Sequence, residues 1–212
     1  MKNRSREIDR RVVFVVSTRL NSEVGVYQIR LHGRGGQGVV TAAEMLSVAA
    51  FMEGHHAQAF PSFGSERTGA PVVAFARIDS KEIRLREPIL EPDVVLVQDP
   101  TLLEQVDVLS GLREDGYLLI NSSQTIEELG LAELAARMPA GHVRTVPATR
   151  FAMEKIGRPL PGAAMLAGYA AMTGNLKLES VQAAYNEAFS GKIAEANSQV
   201  ATLAYDFLTQ TK

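Results

Sequence analysis

The hexapeptide GRGGQG at Gly33–Gly38 constrains the fold of this chain more than any other stretch. An apolar run, Val26–Leu31, precedes it and an alanine-rich segment, Val39–Met52, follows it. This order predicts a strand, a tight glycine turn and a helix. The glycines stand at the first, third and sixth positions, as in G-x-G-x-x-G, which lets the backbone approach a ligand at the start of a helix.

The free N–H groups at such a helix start favour an anion, so the predicted guest is a phosphate, a pyrophosphate or a carboxylate. The competing interpretation is a turn that only lets helix and strand pack closely. A dinucleotide site usually carries an Asp or Glu at the end of the second strand. That region reads HHAQAFP over His55–Pro61, and Glu53 lies on the wrong side of the strand, which argues against NAD. The two adjacent histidines lack further ligands at metal spacing and are expected to be structural.

Composition limits the classes of function. With 212 residues and 46% apolar content, the chain can bury one sizeable core, so we expect an N-terminal arm over residues 1–25 and a single α/β domain over residues 26–212. Residues 1–25 fit three interpretations: a partner-binding arm, a stray strand or a partly disordered terminus. The net charge of −2 argues against an extended nucleic-acid surface.

The chain has no cysteine, which excludes disulfides, a cysteine nucleophile and cysteine ligation of an iron–sulfur cluster by this chain. The longest early apolar run, Val12–Val16, is too short for a signal-peptide core or a membrane span. We therefore expect a cytoplasmic protein without a membrane span.

Further along, apolar runs at Val94–Val97 and Tyr117–Ile120 predict central parallel strands, and alternation over Val72–Ile78 and Glu82–Arg86 predicts an antiparallel β excursion. The expected fold class is α/β, a three-layer Rossmann-like domain with a mostly parallel sheet. The other predicted elements are a strand at 56–60, helices at 127–138, 179–189 and 192–208, a strand at 143–147, and an apolar helix at 162–174 that is buried in the core or against another subunit.

Polar loops are predicted at the same sheet edge as the glycine turn. The loop Phe60–Pro71 concentrates hydrogen-bonding side chains at Ser65, Arg67 and Thr68, and a simple Arg–Glu pair that stiffens the connection is an equal alternative. Asn121 and Ser122 follow the second central strand directly. Since the carboxyl ends of parallel strands meet at one edge, these groups are expected near the turn.

Four motifs in this order resemble one family. They are GRGGQG at 33–38, the loop with the core GSERTG at 64–69, INSS at 120–123 and GRPLP at 157–161. Together they are similar to the gamma subunit of 2-oxoacid:ferredoxin oxidoreductases of the pyruvate type, over about Tyr27 to the C-terminus. Aryl-glyoxylate oxidoreductases are similar enough in this subunit that the motifs do not separate pyruvate, phenylglyoxylate and other 2-oxoacids.

The resemblance implies a multi-subunit enzyme of anaerobic metabolism that oxidatively decarboxylates a 2-oxoacid such as pyruvate or phenylglyoxylate to an acyl-CoA and CO2, with reduction of ferredoxin or a similar acceptor. It implies partner subunits of the alpha, beta and delta type that hold thiamine diphosphate, Mg and [4Fe–4S] clusters. This chain alone is then inactive, and its expected contact is with coenzyme A. No catalytic or metal-ligating residue is expected in it.

The resemblance places the predicted CoA contact on the glycine turn, with Arg34 and Arg67 supplying charge. The full predicted set is Gly33, Arg34, Gly35, Gly36, Gln37, Gly38, Ser65, Arg67, Thr68, Asn121 and Ser122. Alternatives remain: the loop at 64–69 reaches the thiamine pocket, the arginines pair with a partner subunit, the chain is a free-standing nucleotide-binding enzyme, or it is a structural spacer with a ligand-free turn.

Overall fold

A computed structural model describes residues 26–62 and 68–210. The arm at residues 1–25 and the loop residues Ser65 and Arg67 lie outside the described residues, and the division into arm and domain stays a prediction. The strands are β1 (Tyr27–Arg34), β2 (His56–Pro61), β3 (Pro71–Asp79), β4 (Val94–Val97), β5 (Tyr117–Asn121) and β6 (Val143–Val146). The helices are α1 (Val39–Met52), a 3₁₀ helix (Pro100–Glu104), α2 (Ala132–Arg137), α3 (Ala148–Lys155), α4 (Gly162–Thr173), α5 (Leu178–Ala188) and α6 (Gly191–Gln210).

The six strands form one sheet in the order β2-β3-β1-β4-β5-β6. β1, β4, β5 and β6 pair in parallel, as predicted for β1 and the two apolar strands, and β3 runs antiparallel between β1 and β2. β2 therefore runs in the same direction as β1. The carboxyl ends of β1, β2, β4, β5 and β6 meet at one edge, which is where the glycine turn lies.

Three layers build the domain, as predicted. Alternate strand residues such as Leu31 and Leu96 join α1 and α3–α6 in the larger apolar core. The opposite face, with Val97 and Ile120, packs on the 3₁₀ helix and the residues around α2 in a smaller core. The predicted apolar helix is α4, whose residues Gly162–Ala170 are all buried within this fold.

The second half of the predicted excursion is wrong. β3 confirms Val72–Ile78, but Glu82–Arg86 forms no strand, since both edges of β3 are already occupied by β1 and β2. The buried Arg77 instead holds this part of the chain in place by donating hydrogen bonds to the carbonyls of Leu85 and Glu87. The second antiparallel neighbour of β3 is therefore β2, the strand before the excursion.

The helix predicted over 127–138 is also shorter than expected. Only α2 is helical, because Gly130 adopts a positive φ of 72° and interrupts the run. Helix α3 follows β6 directly and was not predicted. The chain makes this tight connection through Asn121, whose Oδ1 accepts a hydrogen bond from the N–H of Thr149 in the first turn of α3.

Candidate functional site

The turn between β1 and α1 leaves a set of backbone N–H groups without partners in the part of the chain that the structure describes. Gly36 and Gly38 have positive φ values of 95° and 72°, which glycine adopts at little steric cost. No side chain caps α1. Within the described residues, no hydrogen bond is donated by the N–H groups that we call the glycine cradle, namely those of Gly36, Gly38, Val39, Val40 and Thr41. The cradle is the free positive end of a 14-residue helix and suits an anion.

Close packing fixes the position of the cradle. A Cβ atom on Gly33 would lie 2.6 Å from Cγ2 of Val39 and 3.2 Å from Cβ of Gln98, so only glycine lets α1 approach the end of β1 this closely. The loop after β2 adds a second support. The N–H of Gly35 donates to the Ala70 carbonyl and the N–H of Gly69 donates to the Gly35 carbonyl.

Asp99, just past the end of β4, organises the side chains of the turn. Its Oδ2 accepts hydrogen bonds from Arg34 Nε at 3.2 Å and from Gln37 Nε2 at 2.9 Å. Gln37 Oε1 in turn accepts from the N–H of Arg34. Burial works to raise the pKa of Asp99, but hydrogen bonds from Thr101 and Gln37 and the charge of Arg34 outweigh it and hold the pKa below its ordinary value. The carboxylate is thus charged at neutral pH and locks the turn.

Arg34 was predicted to offer its charge to a ligand, but its guanidinium already makes several contacts within the chain. Besides Asp99, its guanidinium donates to Gly69 O at 3.0 Å, Thr101 Oγ1 at 2.6 Å and Gln105 Oε1 at 2.8 Å. These bonds use most of its N–H donors. In the described structure Arg34 therefore stiffens the turn, and its predicted contact with a ligand stays a prediction.

The other predicted site residues lie at the same edge in different roles. Thr68 pairs with Gly35 in an isolated parallel bridge, so the predicted proximity of loop and turn is confirmed at this residue. Asn121 is buried, and its side-chain amide donates hydrogen bonds to Gln98 O and Thr149 Oγ1. The Ser122 hydroxyl accepts from the N–H of Gln124. Asn121 and Ser122 support the fold of the edge and do not line the cavity described next.

A cavity of about 450 Å³ opens above the glycine cradle, and we call it the cradle cavity. None of its described lining residues is Asp or Glu. Its charged members are Arg34 and Arg158, and the exposed Arg158 guanidinium makes no ion pair or hydrogen bond within the described residues. The described lining residues are Arg34–Thr41, Val72, Ile156, Arg158, Leu160, Gly162, Ala163, Tyr185, Phe189, Ile193 and Asn197. The cavity thus combines a positive floor with apolar walls, which suits an anionic group carried on a larger organic molecule.

Three functional candidates in this cavity were not predicted: Arg158, Tyr185 and Asn197. Arg158 belongs to the GRPLP motif, which was used only to identify the family. Tyr185 shares the apolar spacing of its helix, which predicts core packing, whereas Asn197 is a polar residue of the last helix; they are buried at 4% and 7% exposed. Periodicity shows which side of a helix faces inward, but not that the inward side borders a cavity.

Within residues 26–62 and 68–210, no group of three or more His, Cys, Asp or Glu side chains is placed to hold a metal ion. Over the same residues, no helix is both long and apolar enough to cross a membrane.

The chain matches known proteins over most of its length. Residues 28–207 match the family described as pyruvate ferredoxin/flavodoxin oxidoreductase. The chain is 50% identical over 179 residues to the pyruvate/ketoisovalerate oxidoreductases common subunit gamma of Pyrococcus abyssi, an alignment that covers 84% of this chain and 95% of that protein. It is 47% identical, with the same coverage of both chains, to the pyruvate synthase subunit PorC of Methanocaldococcus jannaschii.

A solved structure shares the fold. The crystal structure of the pyruvate oxidoreductase subunit PORC from Thermotoga maritima superposes with a TM-score of 0.72 at 35% identity, over 85% of this chain and 96% of that one.

Proposed function

The chain belongs to the pyruvate ferredoxin/flavodoxin oxidoreductase family as the gamma (PorC-type) subunit of a multi-subunit 2-oxoacid oxidoreductase, and from this premise we propose that its cradle cavity binds the phosphates of coenzyme A. The reaction proposed for the whole enzyme is the CoA-dependent oxidative decarboxylation of a 2-oxoacid to acyl-CoA and CO2, with electrons passed to ferredoxin or a similar acceptor.

The observation that carries the proposal is the glycine cradle itself. Its N–H groups are the donors of a helix start, they face a cavity whose described lining residues include no Asp or Glu, and CoA is strongly anionic. Arg158 lies in the same lining, has no ion pair within the described residues, and carries a guanidinium, which is well shaped to pair with a phosphate. Since the cavity walls are largely apolar, they suit the uncharged parts of the same molecule.

In this proposal, partner subunits of the alpha, beta and delta type hold thiamine diphosphate with Mg and the [4Fe–4S] clusters. Thiamine diphosphate would stabilise the carbanion left by decarboxylation. The chain cannot ligate a cluster through cysteine because it has none. Its own residues would orient CoA so that the thiol reaches the partner's reaction centre. The proposed setting is an anaerobic cell.

The 2-oxoacid is proposed to be pyruvate, since relatives named for pyruvate match the chain over nearly their whole length. A branched-chain 2-oxoacid is the second candidate because the Pyrococcus abyssi protein is named as a subunit common to pyruvate and ketoisovalerate oxidoreductases. Phenylglyoxylate stays a further candidate from the sequence motifs.

The test uses the enzyme assembled from all its subunits and a pair of variants at Gly36. A side chain there enters open space beside the cradle, while the φ of 95° strains both variants alike. Gly36→Asn and Gly36→Asp have the same shape and differ in charge. We expect Gly36→Asp to raise KM for CoA by roughly tenfold or more over Gly36→Asn, since a negative charge close to a bound phosphate costs over a kcal/mol.

Reduction of the clusters by the 2-oxoacid in the absence of CoA serves as the control, and should persist in both variants. An equal KM for CoA in the two variants, with intact assembly, would show that no CoA phosphate binds at the cradle. That result would favour the loop at 64–69 as part of the thiamine pocket, or a structural spacer role for this subunit.

A further inference from the structure

The N-terminus of α4 forms another wall of the cradle cavity. α4 begins at Gly162 after Pro161 and runs for 12 residues without a side-chain cap. Its first intrahelical hydrogen bond is donated by Met165 to Pro161, so the N–H groups of Gly162, Ala163 and Ala164 have no partner within the described residues. Gly162 and Ala163 line the cavity. Two helix starts, of α1 and α4, therefore face the same space.

A buried phenol stands beside this second helix start. Tyr185 is 4% exposed, lines the cavity, and its hydroxyl makes no hydrogen bond within the described residues. The hydroxyl comes so close to α4 that a Cβ atom on Gly162 would lie 2.7 Å from it. Burial raises the pKa of Tyr185, so the phenol stays protonated and can donate. Because this hydroxyl borders the cavity and has no acceptor among the described residues, it is placed to donate to a ligand there.

The two helix starts are adjacent but distinct. The same Cβ position on Gly162 lies 4.0 Å from the carbonyl oxygen of Gly38, so the cradle and the start of α4 border each other across the cavity floor. Arg158 precedes α4 by four residues and adds a positive charge on that side that has no ion pair within the described residues. No acidic lining residue among the described ones opposes either group. The floor therefore offers separate places for two anionic groups.

We propose that the N–H groups of Gly162 and Ala163, the Tyr185 hydroxyl and Arg158 form a second anion subsite, the α4 subsite, which binds an isolated phosphate of the ligand whose diphosphate lies on the glycine cradle. This inference rests on the proposed function, because CoA carries such a pair of groups: a diphosphate and a separate 3′-phosphate on the ribose. The α4 subsite then selects CoA over its 3′-dephospho form.

The test compares CoA with 3′-dephospho-CoA in steady-state kinetics of the assembled enzyme. Wild type is expected to show a KM for dephospho-CoA about tenfold or more above that for CoA, as a hydrogen bond to a charged group commonly contributes. Tyr185→Phe should raise KM for CoA about tenfold and leave KM for dephospho-CoA within about twofold, which collapses the preference. Arg158→Gln changes an exposed side chain that makes no hydrogen bond or ion pair within the described residues, and it should lower the same ratio.

Tyr169→Phe is the matched control, since Tyr169 is a 1% exposed tyrosine that does not line the cavity, and its preference for CoA should equal that of wild type. A wild-type preference near one, or an unchanged ratio in Tyr185→Phe, overturns the α4 subsite. If Tyr185→Phe does not assemble, an unchanged ratio in Arg158→Gln overturns it. Failure of the proposed function has a different signature: equal KM values for CoA in Gly36→Asp and Gly36→Asn.

Discussion

Replacing Asp99 should lower the free energy of unfolding more than replacing a charged residue on the outer surface does. Its carboxylate accepts from Arg34, Gln37 and Thr101, and it is 14% exposed against 21% for the Arg34 side chain. Truncating one member of a buried charged pair costs about 3–5 kcal/mol, and partial exposure here favours the lower end. We therefore expect Asp99→Ala to lower the free energy of unfolding by about 3 kcal/mol, and Asp99→Asn, which keeps an acceptor, by about half of that.

Urea unfolding of the purified chain at neutral pH measures these differences. The matched control is Glu82→Gln, because the ion pair of Glu82 with Arg84 is exposed, with side chains 68% and 84% accessible, and should contribute less than about 1 kcal/mol. A loss in Asp99→Ala no larger than that of the control would refute the view that Asp99 locks the turn.

The pH dependence provides a second check on Asp99. Its pKa is lowered in the folded chain, so its contribution is fully present above the ordinary carboxyl pKa and is lost as the pH falls through the lowered value. The stability gap between wild type and Asp99→Asn should thus shrink in acid. A gap that is constant down to the acid unfolding limit would contradict the assignment.

Three further predictions concern the fold and the assembly. Burial and, to a lesser extent, the charge of Arg30 lower the pKa of His32 to about 4. Below pH 6.5 the unfolded chain therefore binds more protons at His32 than the folded chain does. Up to roughly 3 kcal/mol of the free energy of unfolding should be lost as the pH falls from about 6.5 to 4. His32→Gln should flatten that slope in urea unfolding, and an unchanged slope would contradict it. Gly33→Ala should cost about 1–3 kcal/mol, because its Cβ meets Val39, and Val39→Ala should restore part of the loss; no rescue by the second change would argue against this clash. The chain should co-purify with iron and thiamine diphosphate in partner subunits, and turnover by an isolated monomer would disprove the dependence on partners.

Sequence patterns located the parts of the site that the backbone builds. The strand, turn and helix around Gly33–Gly38 were predictable because glycine spacing and apolar periodicity act locally. The shared sheet edge followed from the parallel strands, which explains why the loop that contains Thr68 could be placed beside the glycine turn from the sequence. These predictions needed no knowledge of individual side-chain contacts.

The side-chain roles were less predictable because they depend on long-range partners. Arg34 was predicted to supply charge to a ligand, but its donors bind Asp99 and Gln105, 65 or more positions away in the chain. Tyr185 had the spacing of a core residue and is buried, but its hydroxyl faces a cavity. Alternation over Glu82–Arg86 predicted a strand because the pattern cannot show that β3 already has two neighbours.

Hydrogen exchange of the assembled enzyme with and without CoA tests the central claim most directly. The N–H groups of the glycine cradle lack partners within the described residues and should exchange fast until a phosphate accepts from them. The account predicts that CoA slows exchange over residues 36–41 and 162–164, while the 2-oxoacid alone does not. CoA-dependent protection that appears only in partner subunits, with both segments of this chain unchanged, would contradict the account.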